Sequence, residues 1–358
     1  MKTNGYPEIE EVIDPEQLAL LSEPLGTLAS HRPVDVVVTS ATFLHQGVHR
    51  LELDGASCRS VVVKRLRAKR AQLERRVTGR WLPAAGMDGF GPPRRATIGE
   101  ADGRHVWHVY DDLGAQGLDR PEVDRASLEA AMDRLATLHA SFAGHAVLPE
   151  PRFAAGDLGA YFYTNSVRDA ARCAALLCPP AVDMSAEDEA VRDAVRAHLS
   201  QLLDDEPRRV RLLQEQAGPE TLLHGDLTRA NVFVLSGGEQ PRVRLIDWDH
   251  VGVGPAGFDI STHVARYPAA QRAIVLERYA GAMADRGYPF HDDLDWELLV
   301  STFEAGRLAN QVIWVVLGIL EGNGWTFREL AAWRDALGAV LGVPHQPVAD
   351  PRVDMEPA

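Results

Sequence analysis

Residues 222–235 read LLHGDLTRANVFVL: an apolar run, then His224-Gly225-Asp226, then Asn231 five positions after the acid, then a second apolar run. Residues 243–250, VRLIDWDH, close a third apolar run with two more carboxylates, Asp247 and Asp249. Such runs read as short buried strands, which puts the polar groups where strands end. A hairpin pairing 232–235 with 243–246 brings Asn231 and Asp247 to the same end of one ladder, with Asp226 hanging over that end. An amide and a carboxylate beside a further carboxylate suit a hard cation such as Mg2+, which takes one or two protein oxygens and fills its shell with phosphate and water. The structural alternative is a set of Asx turns capping a hairpin.

These groups need elements to hold them. Residues 33–66 alternate or run apolar with β-branched types and read as strands, joined by turns at LHQG and DGAS. From Ala68 to Leu82 the pattern turns helical, and 91–114 reads as two further strands around EADG. Beyond DDLG the spacing is helical over 121–144, 155–178, 185–218, 268–287 and 293–342. The two short strands ANVFVL and VRLIDWD lie among these, bridged by SGGEQP. The expected layout is therefore α+β: a small antiparallel β-rich lobe over 1–112, a large mostly helical lobe over 113–342, and a Pro-rich, disordered tail over 343–358.

Composition narrows the class. A chain of 358 residues with 46% hydrophobic content can bury two lobes. Three cysteines, Cys58, Cys173 and Cys178, give no disulfide framework and no Cys-x-x-Cys pair, so a reducing cytoplasm is expected. The acidic N-terminal stretch lacks a signal-peptide core, and the longest apolar run, VIWVVLGIL at 312–320, is about half of a membrane span. No membrane is expected. Residues 1–112 carry no net charge, so all of the −14 lies after Asp112. That surface repels nucleic acid and draws cations, though an acidic surface also simply aids solubility.

The spacing Asp226-x-x-x-x-Asn231 is that of the kinase catalytic loop, in which the Asp takes the acceptor hydroxyl's proton and the Asn holds metal. Asp247, sixteen positions beyond Asn231, stands where a second metal ligand is needed. HGDLTRANVFVL followed by RLIDWDHVGVGPAGFDI resembles the aminoglycoside phosphotransferase and choline kinase family of protein-kinase-like enzymes. The resemblance covers most of the chain, from about Val34 to the helices after Asp259, and implies a protein-kinase-like bilobal fold.

It also implies what the first lobe should hold. Lys64, at the end of SVVVKRL, would grip the α/β-phosphates of ATP or GTP, and Glu74, the acid of the following helix, would pair with it. Only three lysines occur in the chain, and a compact ammonium suits a point contact to phosphate. The bland alternative is a solvated basic helix with one ion pair. HVWHVYDDLG resembles a hinge in which backbone groups near Val109, Tyr110 and Asp111 meet the base. Asp259 resembles a structural brace for the catalytic loop, and His224 reads as a scaffold residue. Asp249 either approaches metal or acceptor or caps a turn.

The departures from protein kinases carry information. Gly225 stands where His-Arg-Asp has its Arg, so a phosphorylated activation loop finds no partner. Asp259 follows Asp247 by only twelve positions, too few for a peptide-docking segment, which favours a small-molecule acceptor. The nucleotide-covering turn lacks a Gly-x-Gly-x-x-Gly triad, leaving Thr39, Ser40 and Thr42 as candidate phosphate contacts. GVGPAG at 252–257 matches a dinucleotide fingerprint but follows a hairpin strand and carries Pro255. No Walker A lysine, zinc spacing or Gly-x-Ser-x-Gly elbow occurs.

The leading expectation is an O-phosphotransferase using ATP or GTP with Mg2+ on a small acceptor, a cationic one being favoured by the acidic second lobe, preferably an antibiotic that it inactivates. A metabolic kinase of choline, homoserine or methylthioribose type is the alternative. A metal-dependent hydrolase built on His224, Asp226, Asp247 and Asp249, or a silent kinase-like binding protein, are further readings. Glu304, Arg307 and Gln311 share a helical face with Asn310 and Trp314 nearby; they either line an acceptor cleft or form a solvated face with Trp314 in the core. Oligomeric state, the modified hydroxyl and the nucleotide stay open at this point.

Overall fold

The computed structural model describes residues 13–29, 36–54, 58–235 and 241–342. The tail over 343–358, the centre of the turn at 54–57 and most of SGGEQP lie outside the described residues. The chain divides into two compact units, Met1–Ala131 with Arg229–His250, and Met132–Thr228 with Val251–Ala358. The sequence boundary at 112/113 differs from this in two ways. The division falls within a helix, after Ala131, and the hairpin that carries Asn231 and Asp247 packs with the first unit. Its backbone explains why: Leu118 N–H donates to Val232 O at 2.9 Å, Val234 N–H to Gln116 O at 3.0 Å, and Leu245 N–H to Phe90 O at 2.8 Å.

In the first unit, helix α1 (Pro15–Ala29) starts with Pro at its first position and an Asp14 carboxylate accepting the Glu16 N–H at 2.8 Å. Strands β1 (Val37–His45), β2 (Val48–Asp54), β3 (Ser60–Arg67), β4 (Arg94–Gly99) and β5 (His105–Asp111) form one antiparallel sheet in the order β1-β2-β3-β5-β4. Alternation decides its two faces. Ala41, Leu51, Leu53, Val61, Val63, Trp107 and Val109 face Leu21 and Leu25 of α1, which stand one helical turn apart. The other face carries Thr42, Arg50, Val62 and Tyr110 in one cross-strand row, and Val48, Lys64 and His108 in the next. At the β1–β2 turn Gly47 adopts φ +70°, and its carbonyl receives the Arg65 N–H at 2.7 Å.

After β3 the chain enters helix α2 (Ala68–Arg76), which widens into a π segment (Val77–Trp81) before a last turn to Ala84. The sequence pattern reads as one uniform helix there. The widening shows as the Leu82 N–H donating to Val77 O, one residue further than in an α-helix. Strands β7 (Val232–Leu235) and β8 (Arg242–Leu245) pair Val232 with Leu245 and Leu235 with Arg242. The ladder thus uses 242–245, one residue earlier than the expected 243–246. Ile246 N–H still reaches Asn231 O at 3.0 Å, so Asn231 and Asp247 share one end of the hairpin.

Helix α3 (Arg125–Phe142) leads into the second unit, built on α4 (Pro149–Ala155), α5 (Ala160–Leu176), α6 (Ala186–Asp204), α7 (Glu206–Glu215), α8 (Gly257–Val264), α9 (Ala269–Ala284), α10 (Trp296–Glu321) and α11 (Phe327–Val340). Reciprocal capping boxes fix the starts of α6 (Ser185 with Asp188) and α11 (Thr326 with Glu329). One apolar core joins Tyr163, Val195, Leu199, Phe258, Phe303 and Trp333. Helix α10 is long and apolar enough to cross a bilayer by composition, but its most apolar window is 56% buried and Phe303, Leu308 and Val312 sit in that core.

Strand β6 (Glu220–Leu223) pairs antiparallel with β9 (Gly252–Pro255), a strand the Gly-rich sequence conceals. Its glycines answer to packing. A Cβ on Gly252 would meet Leu158 Cδ1 at 2.6 Å, and one on Gly254 would meet Leu158 C and Leu223 Cδ1 at 3.0 Å. The three cysteines are free thiols.

Candidate functional site

The first unit holds a chain of charged groups on the polar face of its sheet. Lys64 Nζ donates to Glu74 Oε1 at 2.7 Å and to Asp247 Oδ1 at 2.6 Å. Strand alternation aims Lys64 away from the α1 face, and the last turn of α2 places Glu74 opposite it. Glu74 is almost completely buried, so its charge needs its partners. Burial pulls the Lys64 ammonium downward, but Glu74, Asp247 and Asp249 outweigh it and hold the group above its usual range. Burial likewise pushes Glu74 upward, and Lys64 with the His108 hydrogen bond carry it below the ordinary carboxylate range. Removing one member of such a set leaves a buried charge uncompensated, at a cost of about 3–5 kcal/mol.

Asp247 is the one non-glycine residue with positive φ, 63°, among the described residues. Such a conformation persists where surrounding contacts over-determine it, commonly at functional sites. Its side chain is 39% exposed while that of Asp249 is 5% exposed. The buried Asp249 carboxyl is pushed up to about 8 by burial and by the charge of Asp247, whereas Lys64 and the Asp249 hydrogen bond draw Asp247 down against its own burial. Arg70 Nη1 reaches Asp249 Oδ2 at 3.3 Å, and Asp249 Oδ1 is buried without a hydrogen bond. With the buried Asn231 at the same hairpin end, this is an all-oxygen donor set, and an open carboxylate beside a shielded one fits a hard divalent cation.

Other nucleotide-site expectations fall differently. Ser40 pairs with Glu52 and Thr42 with Arg50, which puts both on the face of Lys64. Thr39 sits at the bulge between Val38 and Ser40 and spends its hydroxyl on Glu52 O at 3.3 Å. Strand β5 is flanked by β3 and β4, so the backbone at Val109 and Tyr110 lies between two ladders. The Val109 side chain belongs to the apolar core, and Asp111 is ion-paired with Arg95. The Tyr110 side chain donates to Glu74 Oε2 at 2.5 Å instead of facing a hinge. Asp112, just past the strand, accepts from Arg50, from Ser60 Oγ at 2.8 Å and from Gly114 N–H at 2.9 Å.

In the second unit β6 delivers the chain into His224-Gly225-Asp226. Gly225 has φ +85°, a backbone turn that a side chain would strain. The fully buried Asp259 of α8 accepts the His224 N–H at 2.7 Å and the Gly225 N–H at 2.9 Å. His139 Nε2 lies 3.2 Å from the same carboxylate, and its Nδ1 takes the Tyr279 hydroxyl at 2.6 Å. A carboxylate only accepts, so His139 carries its proton on Nε2. Burial pushes Asp259 up, and His139, His224 and the Gly225 N–H bring it below the usual carboxylate range. On the other side of Asp226, His263 Nδ1 meets Leu227 O at 3.3 Å. Helix α8 therefore grips the loop both before and after the half-buried Asp226. His139, Tyr279 and His263 carry no motif, and nothing in their spacing marks them.

The α10 face is not the solvated one with a core tryptophan. Glu304 is buried and takes Arg307 Nη2 at 2.5 Å, and the Arg307 guanidinium lies 5.0 Å from the Phe258 ring centre, so these are not solvated groups. Trp314 is 55% exposed rather than in the core. An open pocket of about 400 Å³ lies between Asn310 and Ile313 of α10 and Asp157, Tyr161, Phe162, Asn165 and Asp169 at and along α5. Tyr161, Asn165 and Asp169 stand four residues apart, a helical spacing that marks one polar face in the sequence. Asp157 bridges to Val253 of β9, which pairs with Leu222 of β6.

A family model described as "Phosphotransferase enzyme family" matches residues 41–294. No curated protein sequence matches the chain. Among solved structures, the GDP complex of an aminoglycoside 2'-phosphotransferase is similar at a TM-score of 0.58 and 16% identity, over 86% of this chain and 93% of that one. A spectinomycin phosphotransferase solved with ADP and spectinomycin gives 0.56 and 13%, over 86% and 93%. An ethanolamine kinase from Plasmodium vivax gives 0.54 and 10%, over 93% and 84%. At such identities the structural likeness speaks for the fold alone.

Proposed function

The chain belongs to the phosphotransferase enzyme family, and from that premise we propose that it moves the γ-phosphate of ATP or GTP to a hydroxyl of a small molecule, by preference an amine-bearing antibiotic. The observation that carries the reading is Lys64, held between Glu74 and Asp247 on the polar sheet face. A strand lysine paired to a helix glutamate, with a metal-holding aspartate beside it, is what phosphoryl transfer by kinases requires. A hydrolase built on His224, Asp226, Asp247 and Asp249 leaves this buried set without a purpose.

Each residue then has a task. Lys64 neutralises phosphate oxygens and Glu74 keeps it in place. Asn231 and Asp247 would hold Mg2+, which supplies charge neutralisation at the phosphates. Asp226, on a loop braced by Asp259 and His263, orients the acceptor hydroxyl and takes its proton. Phosphoryl transfer is largely positioning plus charge stabilisation, so these groups suffice.

The acceptor reading draws on the acidic excess after Asp112 and on the open pocket where Asp157, Asp169, Asn165 and Asn310 stand beside Phe162 and Ile313. Carboxylates and amides beside an exposed tyrosine suit a hydroxylated amine. The spectinomycin and aminoglycoside enzymes among the similar structures favour an antibiotic, and resistance would be its consequence. The ethanolamine kinase supports the alternative, a metabolic kinase of an amino alcohol or sugar. Free thiols agree with a cytoplasmic enzyme. The test is Asp226→Asn: turnover should fall by roughly 10²–10⁴-fold with nucleotide binding kept. Unchanged turnover would remove Asp226 from the chemistry.

A further inference from the structure

Glu74 has two carboxylate oxygens, and only Oε1 serves Lys64. Oε2 accepts the Tyr110 hydroxyl at 2.5 Å and lies 3.2 Å from His108 Nδ1. The same imidazole nitrogen is 2.9 Å from the Tyr110 oxygen. Since the single phenolic proton is spent on Glu74, Nδ1 must carry its own proton to bond either oxygen. The two side chains come from alternate positions of β5 and cross at 83° on the face that carries Lys64. None of the three groups is open to water: His108 is fully buried, Glu74 is 3% and Tyr110 9% exposed. Burial and the neighbouring carboxylate push the Tyr110 phenol well above its usual range, so it stays a donor.

We propose that Tyr110, backed by His108, is a positioning residue that fixes the Glu74 carboxylate so that Oε1 is presented to Lys64. A glutamate side chain has three rotatable bonds, and a single bond to a flexible lysine would not define its orientation. The second, rigid contact does. Its anchoring extends into the π-widened turn after Glu74. Thr78 donates its hydroxyl to Glu74 O at 3.0 Å, and Arg94, the β4 partner of Tyr110, donates to Thr78 at 3.3 Å. Helix α2 is thus tied to β4 and β5 at both the side chain and the backbone of Glu74. The Lys64–Glu74 pair needs no helix movement to form, and nucleotide meets an ammonium already in place.

This inference rests on the proposed role of Lys64 at the phosphates. The experiment is a double-mutant cycle on the full chain, reading Mg2+-nucleotide affinity by calorimetry and KM for nucleotide and acceptor separately. Tyr110→Phe removes one hydroxyl and keeps the ring. It should weaken nucleotide binding by roughly 3- to 10-fold, the size of one hydrogen bond, and leave the acceptor KM unchanged. In a Glu74→Gln background the same substitution should change nucleotide affinity by less than about 2-fold, because its effect travels through the carboxylate. His108→Gln, which keeps a donor, should fall closer to wild type than His108→Leu. Equal effects of Tyr110→Phe in both backgrounds, or no effect in either while the wild type binds nucleotide, would overturn the positioning role alone. A wild-type protein that binds no nucleotide would overturn the role of Lys64 and this inference with it.

Discussion

Lys64 donates to Asp247 at 2.6 Å across 183 residues of sequence, joining the third strand of the sheet to the end of the β7–β8 hairpin. Together with Glu74 this fixes the first-unit half of the proposed chemistry before any ligand arrives. Lys64→Met should raise the nucleotide KM and lower kcat by at least about 10²-fold, since the cation that neutralises and positions the triphosphate is lost. It should also leave Glu74 and Asp247 facing each other without a cation, and lower stability by about 3 kcal/mol. Lys64→Arg should restore stability better than rate, because a planar fork does not reproduce a point contact. Kinetics and thermal melts on the same samples separate the two.

Charge and conformation can be separated at Asp247. Asn tolerates the left-handed region that φ 63° requires. Asp247→Asn should therefore keep the backbone conformation and, with Lys64 still paired to Glu74, lose less stability than Asp247→Ala, while the Mg2+ requirement for nucleotide binding is lost. Asp247→Ala should lose stability as well. Titration of binding against Mg2+ distinguishes the variants, and wild-type Mg2+ dependence in Asp247→Asn would remove this residue from the metal set.

Acid stability follows from Glu74 and Asp259, both held below the ordinary carboxylate range. A carboxylate whose folded pKa is depressed binds fewer protons native than unfolded, so its contribution is fully present above the unfolded value of about 4. It is lost as pH falls from there through the folded values. The protein should lose stability below about pH 4 and show no comparable loss from these groups between pH 5 and 7. Asp259→Asn should flatten that acid limb and cost about 3–5 kcal/mol at neutral pH, since the amide keeps only one acceptor oxygen for donors that use two and turns its NH2 toward the others. Denaturant melts across pH give the slope.

In the second unit, Asp169→Asn and Asn310→Leu alter the pocket beside α5 and α10. Each should raise the acceptor KM several-fold and leave the nucleotide KM within about 2-fold, the size of one polar contact. Unchanged acceptor KM in both would place recognition elsewhere. Trp314→Ala, at an exposed position, should shift stability by less than about 0.5 kcal/mol, against the loss expected of a core tryptophan.

The layout, the five-stranded N-terminal sheet and the placement of Asn231 and Asp247 at one hairpin end were legible because alternation and helical spacing are local signals. The hairpin register was off by one residue, since SGGEQP fixes no loop length by itself. The domain boundary was invisible because it depends on main-chain bonds from Leu118 and Phe90 to a hairpin far along the chain. Strand β9 was masked by glycines that serve close packing against Leu158 and Leu223. The supports of the site, His139, Tyr279 and His263 around the loop and His108 behind Glu74, act through tertiary contacts that no spacing encodes. The solvated alternative for the Glu304 and Arg307 face did not hold because the two pair with each other, and Arg307 lies over the Phe258 ring.

The central claim is phosphoryl transfer to a small hydroxylated molecule. Mass spectrometry after incubation with Mg2+ and ATP or GTP, against a panel of aminoglycosides, spectinomycin-like and nucleoside antibiotics, macrolides and amino alcohols, tests it most directly. The account predicts a single phosphoryl gain on one compound class, abolished by Asp226→Asn and by Lys64→Met. Folded wild-type protein that phosphorylates nothing in the panel and turns over neither nucleotide would contradict it.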